Sequence, residues 1–182
     1  MVYMFSGPDR TGKDTQIVNL KKYLEEQGKL VHVLHYSAIK GDNIEARSNM
    51  YYHEMFKIIK FAVYNDINLI LNRAHDGEVV YGPIYRNYDG KYIYEIEESF
   101  GNRVLNQCIL FVFTADPSEL IKRDDGLSFT TEVEKKKIEI DKFVEFYNDT
   151  HIKNKLLINI TGKGIDEVFE EIKCHIHKMQ KL

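Results

Sequence analysis

Three things are scarce in this 182-residue sequence: cysteine, basic surplus and long apolar runs. The two cysteines, Cys108 and Cys174, lie far apart and form no metal-type pair. That spacing argues against a disulfide framework and suits a reducing, cytoplasmic setting. Lys and Arg number 25 against 28 Asp and Glu, a formal net charge of −3. No basic face is advertised, which argues against a nucleic-acid coat or a membrane-surface protein. Small basic groups such as Lys135–Lys137 read as a solvated helix face. No stretch is long and apolar enough to span a bilayer. The first functional motif starts almost at Met1, so no leader is expected before it.

What is present is ordinary globular material: 43% hydrophobic residues and enough length for one domain, 1–182, with a substantial core. Apolar runs alternate with helical patterns. Strands are expected at 1–5, 30–36, 67–73, 108–114 and 156–160. Helices are expected from about Asp14 to a stop at Gly28, over 43–64, 118–124, 132–147 and 165–179, with loop and short helices between Ala74 and Leu105. The continuous apolar character of 108–114 suits an interior parallel strand. Alternation of this kind implies a five-stranded parallel sheet covered by helices on both faces, a three-layer α/β/α fold. Ligands of such sheets bind at the carboxyl ends of the strands.

The most informative segment is Gly7-Pro8-Asp9-Arg10-Thr11-Gly12-Lys13-Asp14-Thr15. Gly, four residues, then Gly-Lys is the spacing of a P-loop, and here it stands between an apolar strand and an amphipathic helix. Successive backbone amides and a helix N-terminus then surround a phosphate chain, with Lys13 reaching the β- and γ-phosphates. One position departs from the pattern. Asp14 stands where a magnesium-binding hydroxyl is expected, so either Thr15 substitutes or Asp14 holds Mg²⁺ through water. Arg10 suits phosphoryl transfer, because a planar guanidinium can stabilise charge spread over the γ-oxygens.

This loop resembles that of thymidylate kinases, a branch of the P-loop nucleoside monophosphate kinases. The resemblance implies that Asp9 faces the acceptor's deoxyribose hydroxyl and that Arg10 reaches the transferring phosphates. The same family carries an Asp-Arg-Tyr motif after the third strand and an aromatic nine residues beyond its Asp. Here Asn72-Arg73-Ala74 and Tyr81 fall on those positions. By resemblance, Arg73 grips the acceptor's 5′-phosphate and Tyr81 packs on the sugar. Asn72 cannot supply the family's anionic charge; Asp76, Glu78 and Asp14 are the nearby carboxylates. Glu78 can instead be read as a base toward a sugar or 5′-hydroxyl, as in deoxynucleoside kinases. Arg86 serves phosphate or braces its loop. Tyr52, on the helix before the third strand, is the counterpart of an acceptor contact. Arg123 lies in a short lid-like segment, 122–126, where it would stack on adenine or reach phosphate.

The resemblance implies transfer of the γ-phosphoryl of ATP, with Mg²⁺, to a deoxynucleoside monophosphate, most simply dTMP. Two rivals stay open. One is a kinase of deoxynucleosides or of a modified pyrimidine, including one in DNA; the other is a P-loop ATP-binding regulator. The expected partner is a small-molecule nucleotide, with no membrane and no nucleic acid, and a homodimer is compatible.

Overall fold

The computed structural model describes residues 1–124, 126, 128 and 130–179. Five strands, β1 (Val2–Ser6), β2 (Val31–His35), β3 (Asn68–Asn72), β4 (Cys108–Thr114) and β5 (Lys155–Asn159), form one sheet in the order β2-β3-β1-β4-β5. Every neighbouring pair is parallel. Successive side chains of a strand point to opposite faces, and the sequence alternates accordingly. Val2, Met4, Leu69, Leu71, Leu110 and Val112 feed one core, against helices α2 (Ile44–Tyr64), α4 (Tyr92–Leu105) and α6 (Val133–Asp149). Tyr3, Phe5, Ile70, Ile109, Phe111 and Phe113 feed the other, against α1 (Lys13–Glu26) and α7 (Ile165–Met179). This is the expected three-layer α/β/α arrangement. β1 and β4 are buried along their whole length because each has a strand on both sides and helices above and below.

Strand register fixes the site. Phe5 of β1 pairs with Asn72 of β3 and with Phe111 of β4. The chain therefore leaves β1 at Ser6–Gly7 directly beside the end of β3, and Arg73 N donates to Phe5 O at 3.0 Å. The P-loop and Arg73 are brought together by backbone hydrogen bonds before any side chain contributes.

The segment 74–105 holds more helix than the sequence pattern suggests. A short helix α3 (Asp76–Tyr81) runs into a π-helical turn, Gly82–Arg86, and α4 then covers fourteen residues. Gly101, at φ 72° and ψ 164°, breaks α4 near its end. Polar groups disguised this helix: Glu97 lies on its buried face, where an apolar residue is the norm. A last short helix, α5 (Pro117–Lys122), is capped by Asp116, whose side chain accepts from Ser118 N at 2.8 Å.

Glu97 is wholly buried and fully partnered. It accepts from His75 Nε2 and from Thr150 Oγ1, both at 2.6 Å, and from His151 N at 2.7 Å. The carboxylate thus joins α4 to the residue before α3 and to the end of α6. Burial pushes its pKa up, but the hydrogen bonds and charge of His75, with Thr150 and His151, more than offset this and leave it below the usual value. A carboxylate with a depressed folded pKa contributes stability that is present above its unfolded pKa, about 4.3, and is lost as pH falls through the folded value. Glu97→Ala should cost about 3–5 kcal/mol, since it leaves buried donors without an acceptor. In Glu97→Gln, unfolding free energy should fall less steeply than in the parent below about pH 4.3. Chemical denaturation at several pH values checks both; equal acid slopes would remove Glu97 from the account of acid unfolding.

Candidate active site

The loop from β1 to α1 is shaped by two glycines and one arginine. Gly7 has φ 131°, and a Cβ there would stand 2.5 Å from Phe113 O. Only glycine allows the loop to approach β4 so closely. Gly12, at φ 78°, turns the chain into α1. Arg10 and Arg73 both take left-handed backbone conformations, φ 70° and 64°. Such strain in non-glycine residues concentrates at functional sites.

Lys13 lies beneath this loop and is buried. Its Nζ donates to Gly7 O at 2.8 Å, Pro8 O at 2.6 Å and Thr11 Oγ1 at 3.2 Å, while Thr11 Oγ1 donates to Pro8 O at 2.8 Å. Burial lowers the Lys13 pKa to about 8; Asp9 and Asp14 oppose that shift, and Arg73 adds to it. The ammonium is thus poised beside the loop, where an anion would restore its charge.

A cavity of about 560 Å³ opens over the loop. Asp9, Arg10, Gly12, Lys13, Asp14 and Thr15 form its floor, and Asn72, Arg73, Arg123 and Ile165 its sides. That volume lies within the usual range for a small-molecule site. Arg123 reaches it from the end of α5, held by Glu119 one turn earlier. Asp125, in the lid-like segment, lies outside the described residues. Asn72 Nδ2 donates to Asp14 Oδ1 at 2.6 Å, so the neutral residue at the end of β3 orients the carboxylate at the start of α1.

Arg73 also lines a second, narrower cavity, with Gly7, Tyr36, Tyr52, Asp76, Glu78, Tyr81, Arg86 and Phe143. At about 30 Å³ it holds little more than a water as it stands. Tyr52 and Tyr81 are buried in its wall, and burial raises both phenol pKa values, so each hydroxyl stays protonated. Tyr81 packs edge-on against Phe143 of α6, with ring centroids 5.8 Å apart. Between the two cavities, Arg73 Nη2 donates to Asp9 Oδ1 at 2.7 Å.

Glu78, read from sequence as a candidate base toward an acceptor hydroxyl, lines the narrow cavity and is held by three donors. Its Oε1 accepts from Arg86 Nη1 at 2.9 Å, and its Oε2 from Tyr88 and Tyr92 hydroxyls at 2.7 and 2.8 Å. Arg86 also donates to Tyr88 Oη at 3.1 Å. The loop can wrap this closely because Gly90, at φ 68°, passes Glu78 where a Cβ would stand 2.4 Å from its carbonyl. Arg86 therefore braces the loop, and does so from the cavity wall. Tyr36 and Phe143 reach the narrow cavity from β2's end and α6 and carry no motif; they were found by topology alone. Asp76, read from sequence only as a reserve of charge, is a cavity residue.

No protein-family model matches the sequence, and no curated protein is significantly similar to it. Solved structures do match. The YorR protein of Bacillus subtilis, solved in complex with phosphorylated GDP, shares 17% identity at a TM-score of 0.69, covering 100% of this chain and 99% of that one. Thymidylate kinase from Candida albicans shares 15% identity at a TM-score of 0.60, covering 98% of this chain and 92% of that one. At such identities the similarity is one of fold, and it extends from end to end: the chain has the three-layer α/β/α fold, with its P-loop after the first strand, that these two proteins share.

Proposed function

We propose that the protein transfers the γ-phosphoryl group of ATP to a deoxynucleoside monophosphate, dTMP being the simplest acceptor. The observation that carries this reading is Arg73. It stands at the end of β3, lines both cavities and is already oriented by Asp9. A guanidinium so placed can hold an acceptor phosphate in line with a donor phosphate on the P-loop and offset their repulsion. ATP would occupy the wider cavity, with the loop amides, Lys13 and Arg10 on its phosphates and Arg123 at its outer side. Asp14 and Thr15 fit Mg²⁺, which takes one or two oxygen side chains together with substrate phosphates; it would supply charge neutralisation on the donor. The acceptor would enter the narrower cavity by drawing Arg73 from Asp9 and parting Tyr52, Tyr81 and Phe143. Asp9, freed from Arg73, would then face the sugar. The protein's task is positioning and electrostatics, with little covalent chemistry of its own. The likeness of fold to a thymidylate kinase supports this assignment.

Lys13→Ala should lower turnover by about a hundredfold or more while the chain stays folded. Arg73→Ala should weaken acceptor binding far more than ATP binding. Steady-state assays with ATP–Mg²⁺ and a panel of deoxynucleosides, their monophosphates and oligonucleotides, followed by calorimetry on each variant, check both. Normal turnover in a folded Lys13→Ala would exclude the kinase reading. Loss confined to ATP binding in Arg73→Ala would exclude the monophosphate acceptor.

The buried ammonium gives a second test. Its folded pKa of about 8 lies below the ordinary lysine value. A polyphosphate beside it favours the charged form, so binding must take up protons at and above pH 8, and affinity must fall as pH rises through that range. In the free protein the sign is opposite: the folded chain holds fewer protons than the unfolded one between about pH 8 and 10.4, so this group's contribution to stability grows across that window. Titrating ATP by calorimetry at pH 8.5, in buffers of different ionisation enthalpy, measures the uptake. Identical apparent enthalpies would mean that Lys13 is already fully charged in the free protein.

A further inference from the structure

Asp76 is 4% exposed, yet no donor among the described residues reaches its Oδ1. Buried polar groups almost always have partners, and a carboxylate without one is expensive to keep. The groups around it are engaged elsewhere: Arg73 is held by Asp9, and Arg86 by Glu78. Both arginines and Asp76 line the narrow cavity, with Tyr36 and Tyr52. Asp76 is also one of the carboxylates whose field acts on Lys13, on Tyr52 and on Tyr81. It lines the narrow cavity together with Gly7 of the P-loop and the tyrosines, three residues on from Arg73.

The missing partner must be a hydrogen-bond donor. A dianionic phosphate offers none and is repelled. A sugar hydroxyl offers one, and the sugar is the part of a nucleotide between a phosphate at Arg73 and a base among the aromatic residues. We propose that Asp76 accepts a hydrogen bond from a hydroxyl of the acceptor's sugar. The inference rests on the acceptor being a nucleotide or nucleoside held in this cavity. The hydroxyl has two sources, the 3′-hydroxyl of a 5′-monophosphate or the 5′-hydroxyl of a nucleoside, and the test separates them.

The tightest binder among the four deoxynucleosides and their 5′-monophosphates is identified first by calorimetry. A monophosphate is then compared with its 3′-deoxy analogue, and a nucleoside with its 3′-deoxy and 5′-deoxy analogues, each titrated into the parent and into Asp76→Ala. In the parent, the analogue that lacks the recognised hydroxyl should bind at least about tenfold more weakly, and in Asp76→Ala that difference should vanish. A difference that vanishes for the 3′-deoxy analogue assigns the 3′-hydroxyl; one that vanishes for the 5′-deoxy analogue assigns the 5′-hydroxyl. Asp76→Asn supplies an independent reading without ligand. Neutralising an unpartnered carboxylate should raise the melting temperature of the free protein by about 2–4 °C, whereas a residue kept for structure would lower it. If Asp76→Ala weakens the binder and its deoxy analogues equally, or if Asp76→Asn melts lower than the parent, the proposal is wrong while the acceptor reading survives. If no nucleoside or nucleotide binds the parent, the acceptor reading falls and takes the proposal with it.

Discussion

Burial of the Lys13 ammonium under the Gly7–Gly12 loop is the constraint from which the rest of the site follows. The desolvation is costly, and the loop carbonyls of Gly7 and Pro8 offset it only because the backbone curls tightly enough to aim them inward. That curl needs Gly7 against Phe113, hence β4 beside β1. It leaves Arg10 in a left-handed conformation, and Gly12, left-handed as well, starts α1 at the cavity floor. β3, on the other side of β1, then delivers Asn72 and Arg73 to the same edge. Position in the sheet order, rather than any single motif, decides which side chains share the site.

Around the lysine, several charged groups are paired before any ligand is considered. Arg73 meets Asp9, Arg86 meets Glu78, Arg123 meets Glu119, and Asp14 receives the Asn72 amide. The pairs differ in what they do. Glu78 and Arg86 are largely buried and bound into a set of tyrosine hydroxyls, so they fix the loop after α3. Breaking such a pair leaves an uncompensated buried charge. Arg73 and Arg123 are more exposed, where pairing is worth little. Those two cations can exchange their carboxylates for phosphate oxygens at small cost, and both line the wider cavity.

The sequence made the fold legible because its strands are either continuously apolar or clearly bounded. β4 was readable to the residue, and Gly28 marked the end of α1. The P-loop was readable for a related reason: its spacing is a backbone requirement, so it survives in sequence. Segment 74–105 was harder. It carries buried polar groups, with His75, Asp76, Glu78 and Glu97 where helical periodicity expects apolar residues; the partners of Glu97 come from His75 and from the chain just after α6, and those of Glu78 from the π-helical turn and the residues that follow it. No local pattern encodes such partners. Tyr36 and Phe143 escaped for the same reason, since each joins the narrow cavity only through tertiary packing.

Asp76 and Glu78 show how little the residue type decides by itself. They lie two positions apart on one short helix, both buried and both beside the same cavity. Glu78 is held by an arginine and two phenols, which ties it into the loop after α3. Asp76 has a buried oxygen that no described group serves. A fold under selection for stability alone would replace such a group with a neutral one, because the change relieves a desolvation cost and breaks no contact. Retaining it is intelligible if a ligand supplies the donor, and that places the chemical discrimination of this site on the acceptor side, where the aromatic wall gives shape and a single open carboxylate gives polarity.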